Sequence, residues 1–483
     1  MLLTLAEGLL FLALIAAPLL YGSVHFLSLI FLAFLGVLTF NMVGMVRPES
    51  FARALRTPWT WLGIAIGAVI LTQFIPMPVE WIRKISPETY RFYELYFPGG
   101  VKPGSYFTLS VCPGETVRGL IQFLTYGLFF LSVWMCLASV PAAPAAEVHP
   151  VSWKKSEFLK LGCLTGILAL LFHSIYDFNL HISANGIYFV TLLALGAGAS
   201  DRVYDHAFFR RVVDFFITFG FLVALFAILQ KFSHNGRIFW VGMKASKPVG
   251  PYFNYDHYAG FMEMCSAVAV GKVVASFFHT SFAHCKGLAQ KIFWFSTREA
   301  HQALRCLLMS AVMIATIFMS TSRGGIMSFA LSQIFFFSVF LWTAGRQRKG
   351  KRWAGVVTAG MLFVGVMVLW LGPETLLKKI HMTSVEKIIK MESSDSIRIH
   401  FYKGTLLVIR DFPVIGTGLG TFGTNFTRYR SFKYFGGPTN YLRRTHNDYL
   451  ELVSETGIAG VLFLLGFLIL YLRAVILVVR KLE

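Results

Sequence analysis

Long apolar runs divide this chain, and each is close to the length of a membrane-crossing helix. A span needs about 20 mostly apolar residues. Of the 483 residues, 56% are hydrophobic and only 14% are charged, which is more apolar surface than a water-soluble protein of this length could cover. Twelve runs qualify: 2–20, 24–46, 58–76, 119–138, 160–177, 184–200, 209–231, 255–276, 303–320, 324–343, 353–372 and 456–478. We therefore predict an all-α, polytopic integral membrane protein with about twelve transmembrane helices.

Basic residues indicate which side of the membrane each loop faces, because Lys and Arg are enriched in short cytoplasmic loops. With twelve spans, every basic loop falls on one side together with both termini, and we predict that this side is the cytoplasm. These loops occupy 47–56, 154–155, 202–211, 286–298, 346–352 and 480–481. The opposite face then carries the segments with unusual polar residues, which are 77–118, 173–181, 232–254, 320–323 and 373–455.

The net charge of +20 does not predict nucleic-acid binding, because the Lys and Arg are spread over loops that face anionic lipid. Segment 373–455 is too long for a simple turn. Its amphipathic pieces at 374–391 and 396–410 predict a mostly helical cap over the membrane domain. The basic character of this segment is compatible with an anionic, phosphorylated substrate. A second external loop, 77–118, is predicted to contain a short interfacial helix at Trp81–Arg91.

The stretch THNDYLELVSETG, residues 445–457, joins this polar segment to the last apolar run. Thr445 and Asp448 have the spacing of a capping box, which predicts a helix that begins at Thr445. His446 would lie in the first turn, where the helix dipole favours a neutral imidazole. Asp448, Glu451 and Glu455 would share one face. A neutral imidazole beside carboxylates is a candidate general base. A divalent-metal site at His446, Asp448 and Glu451 is an alternative, although the spacing is not that of HExxH.

Two arginines are candidates for binding phosphate. Arg323 lies in SRGG (322–325) between two apolar runs, where it is either a snorkelling anchor or a phosphate ligand. The following glycines would allow a close approach of another backbone or a ligand. Arg398 begins an amphipathic helix and could simply be a solvated residue paired with Asp395. The glycine pattern GTGLGTFG (416–423) does not predict a dinucleotide site, because no strand precedes it, and we interpret it as a tight loop.

Polar residues at the ends of other spans are further candidates. Asn254 and His257 lie at the mouth of one span, and Glu263 lies about two turns inside it, where it requires a partner or a polar cavity. Asp177 and His181 lie in a short turn between two spans, and we interpret both as helix caps.

These pieces together resemble the O-antigen ligase and polymerase family of bacterial envelope glycosyltransferases. The resemblance rests on SRGG after a span, on the Arg398 helix leading into DFPVIGTGLGTFG, on THNDYLELVSETGIAG before the last span, and on GPYFNYDHYAGFMEM at 250–264. It covers about residues 205–478. It divides the chain into N-terminal helices, 1–204, with external loop 77–118, and a ligase-like core, 205–483, with periplasmic loop 373–455.

The resemblance implies an inverting, metal-independent glycosyltransferase of the GT-C type in the bacterial inner membrane, with a periplasmic active site and no cofactor. It would move a glycan from undecaprenyl diphosphate to a hydroxyl of a glycan, a lipid A-core or a protein acceptor. Arg323 and Arg398 would hold the diphosphate, and His446 would deprotonate the acceptor. Residues with candidate supporting roles are Asn447, Asp448, Glu455, Asn254 and His257.

One piece is displaced, and several functions stay open. HSIYDFNLHISAN at 173–185 resembles an element that usually follows the motif containing His446, yet here it precedes the core.

Ligase, polymerase and protein O-oligosaccharyltransferase share the same motifs. A lipid-linked glycan flippase or transporter would place charges at the midplane of several helices, and a non-catalytic scaffold would tolerate loss of Arg323 and His446. Polar residues gathered on one face favour the enzyme.

Overall fold

The computed structural model describes residues 1–138, 150–198, 205–244, 249–278, 287–346, 394–429 and 442–482. The helices within the bundle are α1 (Leu2–Leu19), α2 (Phe26–Val46), α3 (Pro48–Leu55), α4 (Pro58–Thr72), α7 (Pro113–Leu137), α8 (Pro150–His173), α9 (Ser183–Gly198), α10 (His206–Ser233), α11 (Tyr255–Phe278), α13 (Arg298–Ser320), α14 (Arg323–Arg346) and α18 (Ile458–Leu482). The remaining helices are α5 (Val79–Ile85), α6 (Pro87–Tyr96), α12 (Leu288–Trp294), α15 (Ser394–Asp411), α16 (Phe422–Phe426) and α17 (Asp448–Thr456). Two short strands, β1 (Met77–Pro78) and β2 (Tyr106–Phe107), pair antiparallel.

The all-α, membrane-spanning architecture is confirmed. Within the described ranges nine helices are long and apolar enough to cross a membrane, and α3 with α4, bent by 68°, forms a tenth candidate. The apolar helix α9 is shorter, at 16 residues. Every predicted run that falls in the described ranges coincides with one of these helices, whereas the run 353–372 lies outside the described residues.

Polar contacts tie several basic loops together at one end of the bundle. Arg47 donates from Nη1 to the Cys136 carbonyl at 2.7 Å, and its Nη2 lies 3.5 Å from Asp205 Oδ2. Ser50 donates to the Ala138 carbonyl at 2.7 Å. These contacts join the loops after α2 and α7 to the start of α10, as expected for loops on one side of a membrane.

Close helix packing builds the centre of the bundle, where α11 packs mainly on α8 and α13. A Cβ on Gly162 of α8 would lie 3.2 Å from the Gly271 Cα of α11, and a Cβ on Gly271 would lie 2.8 Å from the Phe158 carbonyl. Small residues thus let the two backbones touch, as is usual between helices in lipid. The hydrophobic core contains residues from both sides of residue 204, so the proposed division at 204 separates segments of sequence within one packed core.

A small cap with its own core covers the other end of the bundle. Buried Val111, from the loop before α7, packs with apolar residues of α15 and α16, and its N–H donates to the Thr417 carbonyl at 3.0 Å. The predicted helix at 396–410 is confirmed as α15, whereas the piece 374–391 lies outside the described residues. The predicted helix at Trp81–Arg91 is two helices, α5 and α6. They separate at Ser86, because a residue before proline disfavours helical geometry.

Candidate active site

His446 lies just before α17, at the end of the bundle that the cap covers. Its Nδ1 is 2.9 Å from Asp177 Oδ1. The ring lies edge-on to Phe178, with centroids 4.9 Å apart, and parallel to Phe401 at 6.2 Å. The side chain is 27% exposed. The imidazole is therefore held on three sides and still accessible from the solvent side.

The prediction that Thr445 caps the helix is wrong. Asn447 is the N-cap, and its side-chain oxygen accepts a backbone N–H of the first turn at 2.9 Å. The Thr445 backbone N–H donates to Glu451 Oε2 at 2.9 Å, and its hydroxyl can donate to the same oxygen at 2.9 Å or to the Asn447 carbonyl at 3.0 Å, so the hydroxyl acts as a donor and does not accept an N–H of the first turn. His446 consequently precedes the helix, with a left-handed φ of +56°. A carboxylate, rather than the helix dipole, sets its orientation.

Asp177 lies between two imidazoles. Its Oδ1 meets His446, and its Oδ2 lies 3.4 Å from His257 Nε2. Burial raises the pKa of Asp177, but the neighbouring His257 and the hydrogen bond from His446 lower it further, so its pKa lies well below the usual range. Asp177 therefore stays ionised. A neutral His446 that donates Nδ1–H to it presents an unprotonated Nε2. The interpretation of Asp177 as a helix cap is wrong, since its partner lies 269 residues away.

The start of α11 forms the floor beside this pair. Asn254 accepts the backbone N–H of Asp256 at 2.9 Å, and the Asp256 carboxylate accepts the Ser322 hydroxyl at 2.6 Å. A Cβ on Gly325 would lie 2.6 Å from the Ala259 Cβ. The close approach predicted for the glycines of SRGG is thus confirmed, and the approaching element is α11.

The two candidate phosphate ligands lie near the starts of two different helices. Arg323 is the first residue of α14, and Arg398 lies near the start of α15. Both act electrostatically on Tyr255, and Arg398 also acts on Asp256. The side chain of Asp395, the suggested partner of Arg398, lies outside the described residues. Both arginines therefore lie within electrostatic range of the start of α11.

A buried pair lies below the floor. His173 Nδ1, at the end of α8, is 2.9 Å from Glu263 Oε1, and both side chains are almost completely buried. This pair supplies the partner that a carboxylate inside a span requires. The analysis of the sequence did not single out His173.

A second polar cluster lies on the other side of the turn between α8 and α9. His181 Nδ1 lies 2.7 Å from Asp448 Oδ1, and its Nε2 lies 3.3 Å from Glu451 Oε1. Burial lowers the pKa of His181, but the carboxylates of Glu451 and Asp448 raise it above its usual range. Arg444 donates to Glu451 Oε1 at 2.6 Å. Burial, with the charge of Glu451, raises the pKa of Glu455 to about 7. His181 is thus an ion-pair partner, and its interpretation as a helix cap is also wrong.

This second cluster bears on the alternative metal site. Among the described residues, ligand atoms of His181, Glu451 and Glu455 lie within 4.8 Å of one another. His446, a member of the metal set considered from the sequence, faces Asp177 instead. The Arg444 guanidinium already supplies positive charge to Glu451, which weakens the case for a cation there.

The segment 173–185, which the sequence places before the core, lies next to the stretch 445–457 that contains His446. The Asp448 N–H donates to the Ser174 carbonyl, and the Asn447 side chain donates to the Ile175 carbonyl, each at 3.0 Å. The segment 173–185 thus joins the site although it precedes the rest of it in the chain. A sequence signal was available, since two ionisable residues, Asp177 and His181, lie in a short turn between two apolar runs.

The comparison with protein families decides the class. A family model described as O-antigen ligase matches residues 308–465, about a third of the chain. The chain carries an O-antigen ligase domain. The match begins within α13, ends within α18, and includes Arg323, Arg398 and His446. No curated protein sequence matches this O-antigen ligase-like chain. The family match and the apolar helices make it a multi-pass membrane protein with a glycan-transferring function in polysaccharide biosynthesis.

Proposed function

We propose that this protein transfers a glycan from undecaprenyl diphosphate to an acceptor hydroxyl at the periplasmic face of the bacterial inner membrane. The enzyme would invert the anomeric configuration and need neither a metal nor a cofactor. The observation that carries the proposal is the contact of Asp177 with His446, 2.9 Å apart; the electrostatic effect of Arg323 and Arg398 on Tyr255, at the start of α11, supports it.

The pair of Asp177 and His446 has the arrangement of an oriented general base. Asp177 fixes the imidazole tautomer and stabilises the imidazolium that forms when Nε2 takes the acceptor proton. The acceptor oxygen then attacks the anomeric carbon while the bond from that carbon to the diphosphate oxygen breaks. A single displacement of this kind inverts the anomeric centre.

The arginines would stabilise the leaving group. Undecaprenyl diphosphate leaves with additional negative charge on its phosphate oxygens, and planar guanidinium groups bind such oxygens in a bidentate way. Two fixed positive charges from Arg323 and Arg398 can supply this stabilisation without a metal. Tyr255 and Asp256 would position the two arginines.

The placement of charge supports a transferase over a flippase. His446, Asp177 and Arg323 lie near helix ends on the side of the bundle that the cap covers, and Arg398 lies on the cap helix α15. A transporter would instead distribute such groups along several helices at the midplane. The basic loops joined through Arg47 lie at the opposite end. We take that end, with both termini, as cytoplasmic.

Glycan transfer in membranes tests the proposal. Wild type would be compared with His446→Gln and Arg398→Ala, with lipid-linked glycan as the donor and excess chelator present. Arg410→Ala is the matched control, because Arg410 lies in the same helix as Arg398 but is 70% exposed and pairs with Asp411. We expect losses of about 100-fold or more for the two site variants and an unchanged rate for the control. Active site variants, or inhibition of wild type by the chelator, would refute the mechanism.

A further inference from the structure

Three helices meet at the buried pair of His173 and Glu263. His173 Nδ1, at the end of α8, lies 2.9 Å from Glu263 Oε1 of α11, and the two side chains are 1% and 0% exposed. A Cβ on Gly324, in the first turn of α14, would lie 3.2 Å from His173 Nε2. A Cβ on the next residue, Gly325, would lie 3.0 Å from Glu263 Oε1. Both members of the pair therefore pack directly against the start of α14.

Each of these helices also carries a part of the proposed site. Asp177, which orients the base, follows α8, and its N–H donates to the His173 carbonyl at 3.1 Å. Asp256 lies on α11 seven residues before Glu263, which is about two helical turns and therefore the same face. Arg323 begins α14. The side of the site that holds the base and the side that holds the diphosphate are thus built on helices that contact one buried pair.

The start of α14 is held on α11 at two depths. Near the surface, the Ser322 hydroxyl donates to Asp256 Oδ1 at 2.6 Å and accepts the Gly325 N–H at 3.0 Å. About two turns deeper, Glu263 packs against the same turn of α14. The contact leaves little free space, since a Cβ on Gly325 would lie 2.6 Å from the Ala259 Cβ. Two contacts at different depths fix the direction of a helix start as well as its position.

We propose that His173 and Glu263 are positioning residues that hold the start of α14 at the distance from His446 that glycan transfer requires. This inference rests on the proposed function and adds two residues to it. Both side chains are buried and do not reach the substrates, so they act through Arg323 and Asp177. The expected effect is large, because a misplacement of about 1 Å can cost roughly 100-fold in rate even when the mutation is far from the reacting atoms.

The rate per donor-binding molecule separates positioning from folding. The full chain in bilayer discs would be titrated with undecaprenyl diphosphate, and kcat for glycan transfer would be divided by the fraction of chains that bind this probe. His173→Ala and Glu263→Ala remove one partner of the pair, whereas Glu263→Gln keeps the shape and an oxygen that can accept from the imidazole. Glu157→Ala is the matched control, because Glu157 forms an equally buried pair with Lys160, 2.6 Å apart, at the other end of α8.

We expect His173→Ala and Glu263→Ala to lower the corrected kcat at least about 30-fold, while the donor KM and the affinity for the probe change by less than about threefold. Glu263→Gln should keep at least about a third of the wild-type rate, because it preserves the packing. Glu157→Ala should match wild type after the correction. The inference is overturned if the alanine variants lose activity only in proportion to the chains that fail to bind the probe. It is also overturned if the donor KM alone rises, or if Glu263→Gln is as slow as Glu263→Ala, since the charge rather than the position would then matter.

A size exchange between the facing helices tests the same geometry without altering the buried pair. Gly325→Ala places a Cβ 2.6 Å from the Ala259 Cβ, and it should lower the corrected kcat at least about tenfold by displacing α14. Ala259→Gly removes that neighbour, so the double variant should be at least about threefold faster than Gly325→Ala. A wild-type rate for Gly325→Ala, or a double variant no faster than Gly325→Ala, would overturn the inference even if the alanine variants of the pair do not fold.

His446→Gln and Arg323→Ala in the same assay separate this inference from the proposed function. Both should lose transfer about 100-fold or more, and Arg323→Ala should also weaken binding of the probe. If they do so while the two alanine variants of the pair keep the wild-type rate, the proposed function stands and the positioning role is wrong. If both keep the wild-type rate of transfer, the proposed function itself is wrong, and the inference that rests on it fails with it.

Discussion

Replacing Asp177 with Asn tests the link between the displaced turn and the base. The carboxylate lies between two imidazoles, with one oxygen 2.9 Å from His446 Nδ1 and the other 3.4 Å from His257 Nε2. An Asn side chain has one acceptor oxygen, so it must direct its amide group at one of the two rings. If that ring is His446, Nδ1 becomes the acceptor and the proton moves to Nε2, where the base must be unprotonated.

The size of the effect follows from the role of the base. A positioned general base contributes about 100-fold to 10,000-fold, which is roughly 3 to 5 kcal/mol at about 1.36 kcal/mol per factor of ten. Asn retains the shape of the side chain but loses the tautomer control and the charge that stabilises an imidazolium. We expect Asp177→Asn to lower kcat by at least about 100-fold.

The assay compares Asp177→Asn, His446→Gln and the double variant at saturating donor and acceptor. Because the two residues act as one unit, the double variant should be no more than a few-fold slower than His446→Gln. Asp214→Asn is the matched control, since this carboxylate pairs with Lys272 and is 56% exposed. An active Asp177→Asn enzyme, or losses that multiply in the double variant, would refute the coupling of Asp177 to the base.

Three further predictions concern stability and are measured by thermal unfolding in detergent. The buried Gln73 side chain makes three hydrogen bonds of 2.8–3.0 Å to backbone groups of α17 and of the loop after α15. Gln73→Leu should therefore lower the free energy of unfolding by about 1–3 kcal/mol per group left unpaired. An unchanged Tm would contradict this. Gly416→Ala should be severely destabilised, because φ is +74° and the new Cβ would lie 2.2 Å from a backbone carbon of α17, whereas Gly99→Ala, with φ +88° in open space, should be mild. Wild-type stability should fall as pH rises above about 6.5 through the raised pKa of His181, and His181→Gln should reduce that slope, with the raised pKa of Glu455 accounting for a remaining part below pH 7.

The sequence was sufficient for the bundle because each span carries its signal locally. Apolar length alone located every helix of the bundle in the described ranges except the short α3, which lies in the predicted basic loop 47–56, and the amphipathic pattern at 396–410 located α15. The glycines of SRGG were correctly interpreted as a point of close approach. A glycine at a helix start has no side chain to hold a neighbouring element away.

The partners of the base could not be found in the same way. Asp177 and His446 are 269 residues apart, and pairing over such a distance leaves no periodic signal in one sequence. Local rules assigned Asp177 and His181 to helix caps because a short turn usually needs caps. They assigned the capping role to Thr445 because a capping box has that spacing. Asp177 and His181 instead contact tertiary partners, whereas Thr445 contacts Glu451, six residues further along the chain.

The position of the α8–α9 turn also has a consequence for biosynthesis. Ribosomes add about 5–20 residues per second, so the 269 residues between the two halves of the site correspond to roughly 15 to 50 s of synthesis. During that interval the carboxylate of Asp177 and the imidazoles near it are inserted without their last partner. On the proposed mechanism, the nascent protein is inactive until His446 has been synthesised, and truncation before His446 would yield an inserted but incompetent protein.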